Sequence, residues 1–148
     1  MDAEQVVIFR VQEEEYAVPL TDAKEIMQYQ EAVKLSLAPD YLEGVIHIRG
    51  QVIPVVRLSA KFGLAGDKPA ERRIIIMAVG TQEIGLVVDE VTEVINLVAA
   101  NVEPTPDVCN ELGACIKGIG RIGNRLIILL DIKRIFSNDE LAAFQAVK

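Results

Sequence analysis

Short runs of β-branched and aliphatic residues, separated by brief polar breaks, recur along most of the 148-residue chain. Val6-Val7-Ile8-Phe9-Arg10-Val11 and Tyr16-Ala17-Val18-Pro19-Leu20 flank the charged break Glu13-Glu14-Glu15, the pattern of a hairpin. Proline cannot donate to a ladder, so Pro19 predicts that the second run is an edge strand or ends there. Thr21 to Tyr29 reads two ways. Ile26 and Tyr29 fit one helical face, but the related stretch Asp89 to Leu97 is rich in valine and isoleucine, and a short strand is predicted. After the turn Ala38-Pro39-Asp40 comes an apolar ribbon, Tyr41 to Leu58, broken at Arg49-Gly50-Gln51. This predicts two strands joined by a tight reversal, where glycine supplies the positive φ that hairpin turns need. Arg49 is a cation at the tip of an otherwise apolar ribbon, a placement that asks for a partner.

The remaining chain repeats these signals. Ser59 to Gly63 predicts one helical turn stopped by glycine, and Ala65 to Glu71 a polar loop. Ile74 to Val79 and Ile84 to Val88 flank the turn Gly80-Thr81-Gln82-Glu83. Pro104 and Pro106 mark a surface loop, and Ile116 to Asp131 forms a second ribbon reversing at Gly123-Asn124. Ser137-Asn138-Asp139-Glu140 has the spacing of a capping box, so a C-terminal helix over 137–146 is expected.

The likeness between halves is a register match. Leu42 to Phe62 falls without a gap on Ile116 to Phe136, a shift of 74 that sets Gly44 on Gly118, Ile53 on Ile127 and Arg57 on Asp131. Val6 to Tyr29 falls on Ile74 to Leu97 at a shift of 68, setting Glu15 on Glu83 and Glu25 on Glu93. A six-residue difference (74 − 68) in the intervening loop reconciles the two shifts. An internal duplication follows, with duplicated barrels expected at about 6–65 and 72–136 in one 1–148 domain. About ten short strands and few helices predict an all-β fold, two small five-stranded β-barrels packed as one body. Strand order, including exchange of the first strand between barrels, is left open by the pattern.

Composition narrows the function classes. Hydrophobic residues make up 51% against 25% charged, which fits a globular chain rather than a disordered one. A net charge of −7 repels nucleic acid and anionic lipid, so neither is expected as a partner. The start Met1-Asp2-Ala3-Glu4-Gln5 lacks the basic and apolar regions of a secretory leader, and no apolar run reaches the roughly 18 residues of a membrane span. Cytoplasmic residence without direct membrane insertion is therefore expected. Cys109 and Cys115 form no CxxC pair and read as free thiols in a reducing compartment, with a structural disulfide between them as the alternative.

Candidate chemistry is sparse. His47 lies mid-strand with no cysteine or histidine spaced to share a metal, and reads as a packed or half-exposed strand residue. Gly118-x-Gly120-x-x-Gly123 matches a dinucleotide pattern but precedes an apolar strand instead of a helix, so no helix N-terminus awaits a phosphate. Serines are few and none sits in a nucleophile elbow. Asp89-Glu90 reads as a solvated turn. No enzyme activity, cofactor or metal is expected.

Glu15-Tyr16-Ala17-Val18-Pro19, Lys24-Glu25-Ile26, the ribbon from Gly44 to Val55 with its Arg49-Gly50 and Pro54, and Gly85-Leu86-Val87-Val88-Asp89 together resemble the CheW family of bacterial chemotaxis coupling proteins. The same domain recurs as the regulatory domain of the chemotaxis histidine kinase. The resemblance runs from about Gln5 to Phe144 and implies two five-stranded SH3-like barrels. It implies a non-enzymatic adaptor linking chemoreceptor cytoplasmic hairpin tips to the chemotaxis histidine kinase (through its regulatory domain) in membrane-associated arrays. By position it makes Glu25 and Arg49 the receptor-binding pair, with Ala23, Val91 and Val94 near a receptor-facing groove, and Gly44 and Gly50 as ribbon glycines.

Other readings stay beside this one. Arg49 and Glu25 can simply pair with each other, and Ala23, Val91 and Val94 can be ordinary core. Arg57 stands where the family usually has an acid, and His47 where asparagine is common, so the particular receptor–kinase circuit is not specified. A related circuit outside chemotaxis, or a small-ligand binder with a polar pocket between the barrels, remains as an alternative.

Overall fold

A computed structural model describes residues 3–36, 38–61, 72–103 and 116–145. Eleven strands form two sheets among these residues: β1 Ala3–Val11, β2 Glu14–Pro19, β3 Ala23–Gln28, β4 Leu42–Ile48, β5 Gln51–Arg57, β6 Arg73–Val79, β7 Gln82–Val88, β8 Glu90–Val98, β9 Val102–Glu103, β10 Ile116–Ile122 and β11 Arg125–Leu130. The helices are short: α1 Leu58–Lys61, α2 Ile132–Ile135 and α3 Asn138–Gln145. Thr21 to Tyr29, the ambiguous stretch, is a single 3-10 turn followed by β3. The loop marked by Pro104 and Pro106, the polar loop from Ala65, the stop at Gly63, and both cysteines lie outside the described residues.

One sheet runs β8-β1-β2-β11-β10-β9 and the other β3-β6-β7-β5-β4. The two sheets therefore cut across the ranges 6–65 and 72–136, which do not each enclose one barrel. The leading hairpin of each repeat is paired in the other's sheet: β1–β2 sits between β8 and β11, and β6–β7 between β3 and β5. The first sheet also has a sixth strand, the two-residue β9 on β10, where five were expected. Its counterpart in the second sheet is an isolated bridge from Val33 to Val45.

The exchange follows from side-chain alternation, because successive residues of a strand face opposite ways. Val6 and Ile8 of β1 enter the first sheet's own core with Ala17, Leu97, Ile127 and Leu129, while Val7, Phe9 and Val11 enter a core shared by both sheets. Ile74 and Ile76 of β6 enter the second sheet's own core with Ile46, Ile53 and Val55, while Ile75, Met77 and Val79 join the shared core. Both hairpins are buried on both faces, which is why they read as unbroken apolar runs. Moving either hairpin out would expose one of its faces, at about 1.5–3 kcal/mol for each large aliphatic side chain. Ile132, Ile135, Phe136 and Phe144 complete the shared core from the C-terminal side.

Gly44 marks where the chain before β4 lies across the strand. Its φ is +146°, and an added Cβ would stand 2.3 Å from the Val33 carbonyl oxygen. That carbonyl accepts from Val45 N at 2.9 Å, and Val33 N donates back to the Val45 carbonyl at 2.9 Å. Gly50 differs, since nothing lies within 4 Å of its added Cβ and the demand is only its φ of +76°. The expected capping box is present: Ser137 N donates to Glu140 Oε1 at 2.8 Å and Glu140 N donates to Ser137 Oγ at 3.1 Å. Glu140 also accepts from Lys61 Nζ at 2.7 Å and from the Tyr41 hydroxyl, tying α3 to the first repeat.

Gly44→Ala is expected to destabilise the fold by about 2–3 kcal/mol, because backbone must move, against about 1 kcal/mol for Gly50→Ala. Urea unfolding of the two variants measures the difference, and equal costs would refute the close approach at Val33. A second expectation concerns pH. Partial burial would raise the Glu140 carboxyl, but hydrogen bonds from Lys61, Tyr41 and the Ser137 N–H outweigh it and hold the group at about 2. The folded value is depressed, so its stabilisation is complete above the ordinary value of 4.5 and drains away as pH falls toward 2. Glu140→Gln should flatten the acid limb of the stability profile by about 1 kcal/mol or less, read as urea midpoints between about pH 5 and pH 3.

Candidate functional site

The β4–β5 reversal is the two-residue turn Arg49-Gly50, with φ of +51° and +76°. This backbone carries the Arg49 guanidinium across the open side of its sheet. It donates to Glu25 on β3 through Nη1, and to Glu83 on β7 through Nη2 at 3.2 Å. The Arg49 side chain is 54% exposed, so the cation is paired yet still open to solvent. Glu25 lies opposite Ile76, on the face of β3 that looks toward the second sheet's own core.

A twin of this cluster lies on the other sheet. Arg125, at the start of β11, donates to Glu15 on β2 through Nε at 3.1 Å and Nη2 at 2.5 Å, and to Glu93 on β8 through Nη1 at 2.8 Å. Glu15 and Glu93 are the residues that the shift of 68 sets on Glu83 and Glu25. The arginine has moved: the position matching Arg49 is Gly123, and Arg125 comes from two residues further on. The Arg125 hydrogen bonds hold the Glu15 carboxyl below its ordinary range, and the same contacts keep Arg125 more firmly protonated.

Between the sheets lies a seam. Ala23 pairs with Met77 and Ile26 with Ile75, so both stand on the shared-core face of β3. Val91 pairs with Phe9 and Val94 with Val7, which puts them on the shared-core face of β8. Ala23 and Val91 are partly buried against that core, while Ile26 is 42% and Val94 46% exposed. The structure thus brings Glu25 and Arg49 together and places Ala23, Val91 and Val94 along one seam, with Glu25 on the face of β3 opposite to Ala23. Ile26 and Glu83 escaped the reading from residues, although the repeat register set Ile26 on Val94 and so pointed to the first of them.

Arg57, the departure from the family pattern, has a local explanation. It lies 3.7 Å from Glu43, a carboxylate whose side chain is 6% exposed and which also accepts from Tyr29 at 2.6 Å and Arg72 at 3.1 Å. Arg72 stacks 3.8 Å over the Tyr29 ring, and burial with the Glu43 contact raises the Tyr29 hydroxyl's pKa. His47 is exposed on β4. Asp89 is not a purely solvated turn residue: it accepts from the N–H of Gln12 at 2.6 Å, where the β1–β2 turn has a φ of +57°.

Among the described residues no group of three histidine, cysteine, aspartate or glutamate side chains could hold a metal ion. An open cavity of about 730 Å³ at the first sheet is lined by Leu97, Ala99, Val102 and Leu129, with Glu4 and Lys117 at its rim. Those two charges face each other at 3.6 Å.

These features define an all-β protein of two pseudo-equivalent sheets fused through a common core, with an apolar seam and paired ion clusters as its distinctive surfaces. The family described as the CheW-like domain matches residues 5–140, and the chain belongs to that family. It is similar to the chemotaxis protein CheW of Klebsiella aerogenes, at 31% identity over 94% of this chain and 85% of that one. It is also 32% identical to the chemotaxis protein CheW of Rhizobium meliloti, over 94% of this chain and 91% of that one. The crystal structure of the scaffolding protein TtCheW from Thermoanaerobacter tengcongensis superposes with a TM-score of 0.86, at 30% identity, covering 95% of this chain and 92% of that one.

Because the Arg49 cluster is solvent-open, its removal should affect stability little. Arg49→Ala is expected to cost about 1 kcal/mol or less in urea unfolding, with the difference shrinking in high salt. A loss of several kcal/mol would make Arg49 a keystone of the fold.

Proposed function

We propose that the protein is a non-enzymatic adaptor that couples the cytoplasmic hairpin tips of chemoreceptors to a chemotaxis histidine kinase at membrane-associated arrays. Membership of the CheW-like family supports the adaptor class. The observation that carries the docking role is the seam, where Ile26 and Val94 remain 42% and 46% exposed on the walls of an otherwise closed core. A receptor tip is a helical hairpin, and a helix offers an apolar stripe that such a seam can cover.

Arg49 and Glu25 supply the polar part of the recognition. A receptor carboxylate can exchange with Glu83 on the Arg49 fork while Glu25 stays bound, so the cation keeps its charge-assisted bonds throughout. The exchange is close to balanced in energy, which gives Arg49 a role in register more than in affinity. The kinase is taken on a separate surface, so that receptor and kinase are held together. Among the described residues no helix is long and apolar enough to cross a membrane, which is consistent with recruitment through the receptor.

Ile26→Asp with Val94→Asp should weaken binding to receptor-containing membranes more than tenfold, because each aspartate would be desolvated in an apolar contact. Kinase binding and circular dichroism should be unchanged. Arg49→Glu should abolish the ternary sediment of receptor membranes, kinase and adaptor. Wild-type receptor affinity in the Ile26/Val94 double variant would sink the proposal.

A further inference from the structure

The two walls of the seam share a weakness. β3 and β8 are the first strands of their sheets, hydrogen-bonded to β6 and β1 on one side and to no other strand of the described residues on the other. A strand held along one edge frays more readily than one held along both. Each ion cluster meets this weakness at the same place. Glu25 on β3 is joined to Arg49, at the reversal before β5, and Glu93 on β8 is joined to Arg125, at the reversal before β11. In both sheets the arginine thus reaches from the far hairpin to the unpaired first strand, across the side where the strand ladder does not close. The middle of the sheet supplies a second anchor, Glu83 on β7 in one case and Glu15 on β2 in the other.

We propose that Arg125 is a positioning residue for the seam: through Glu93 it clasps β8 and so fixes Val91 and Val94, as Arg49 through Glu25 fixes Ala23 and Ile26. The clasp acts from behind. Glu93 pairs with Ile8, whose side chain faces the first sheet's own core, while Val91 and Val94 pair with Phe9 and Val7, which face the shared core. The Arg125 geometry suits a strut better than a freely swinging cation. Its fork is bidentate on Glu15, with Nε and Nη2 on separate oxygens, and its third nitrogen is left for Glu93. Such networks hold geometry where isolated surface pairs do not. The function of the clasp rests on the docking role of the seam, but its mechanical part does not.

Hydrogen exchange of the full-length protein, followed strand by strand, tests the mechanical part. Glu93→Gln and Arg125→Gln should each speed exchange of the β8 amides about two- to fivefold and leave the β3 amides unchanged, while Glu25→Gln should do the reverse. Glu93→Gln should also weaken a chemoreceptor cytoplasmic fragment by a similar factor, although Arg125 is still present and still paired with Glu15. If Glu93→Gln leaves β8 exchange unchanged, the clasp is wrong. If Arg125→Gln weakens the receptor fragment but Glu93→Gln does not, Arg125 touches the partner directly and the positioning role is overturned. Wild-type affinity for Val94→Asp overturns the docking seam itself, a result distinguishable because the β8 exchange rates still report on the clasp.

Discussion

The fold depends on one constraint: two hairpins of this chain are apolar on both faces and must find cover on both. β1–β2 and β6–β7 each contribute alternate residues to two different cores. A hairpin left in its own repeat could cover one face with its neighbours in sequence but would offer the other to water. Exchange between the repeats covers both faces at once, and it makes the shared core out of strands from both halves. The halves are therefore not independent bodies joined by contact. Fusion through hydrophobic burial outweighs anything the surface ion clusters contribute, by about 1.5–3 kcal/mol per buried aliphatic side chain against at most about 1 for an exposed pair.

The seam is a consequence of the same arrangement. The shared core is filled by the exchanged hairpins at its centre, but the first strands β3 and β8 run past it. Their inward faces go from Ala23 and Val91, partly buried against that core, to Ile26 and Val94, which are left 42% and 46% exposed. A two-fold likeness between repeats then makes the opening two-walled. Each wall is an unclosed edge, and each has an arginine with two carboxylates on its reverse side. Packing thus creates the apolar surface, and electrostatics governs how firmly its walls stand.

Much of this was legible in the sequence because it rests on local pattern. The runs Val6 to Val11 and Ile74 to Val79 announced strands, Ser137 to Glu140 announced the cap of α3, and the shifts of 68 and 74 announced the duplication. The exchange was not legible, since a run apolar on both faces says that it is covered twice without saying by which strands. The six-stranded sheet was missed for a related reason: Val102–Glu103 is too short to carry a period of its own. Arg49 stood out as a cation at the tip of an apolar ribbon and Glu25 came from family resemblance, but Glu83 could not be attached to them without knowing that β7 crosses into the first repeat's sheet. Arg125 was hidden more deeply, because it occupies the match of Gln51 rather than of Arg49.

The repeats are also unequal in how they hold charge at equivalent positions. Glu43 and Arg57 match Lys117 and Asp131 in the second repeat, so the acid and the base have exchanged places. In the first repeat the pair sits around a nearly buried carboxylate that gathers Tyr29 and Arg72 as well. In the second the two have separated, Lys117 facing Glu4 and Asp131 accepting from the backbone of Lys133 at the start of α2. Inverting the sign at equivalent positions leaves the strands unaltered, because each charge finds an opposite partner beside it. The Arg57 departure is thus accommodated locally: the fold tolerates it because Glu43 is beside it, while the acid at the matching Asp131 is held by Arg134 at 3.4 Å and by the backbone of Lys133.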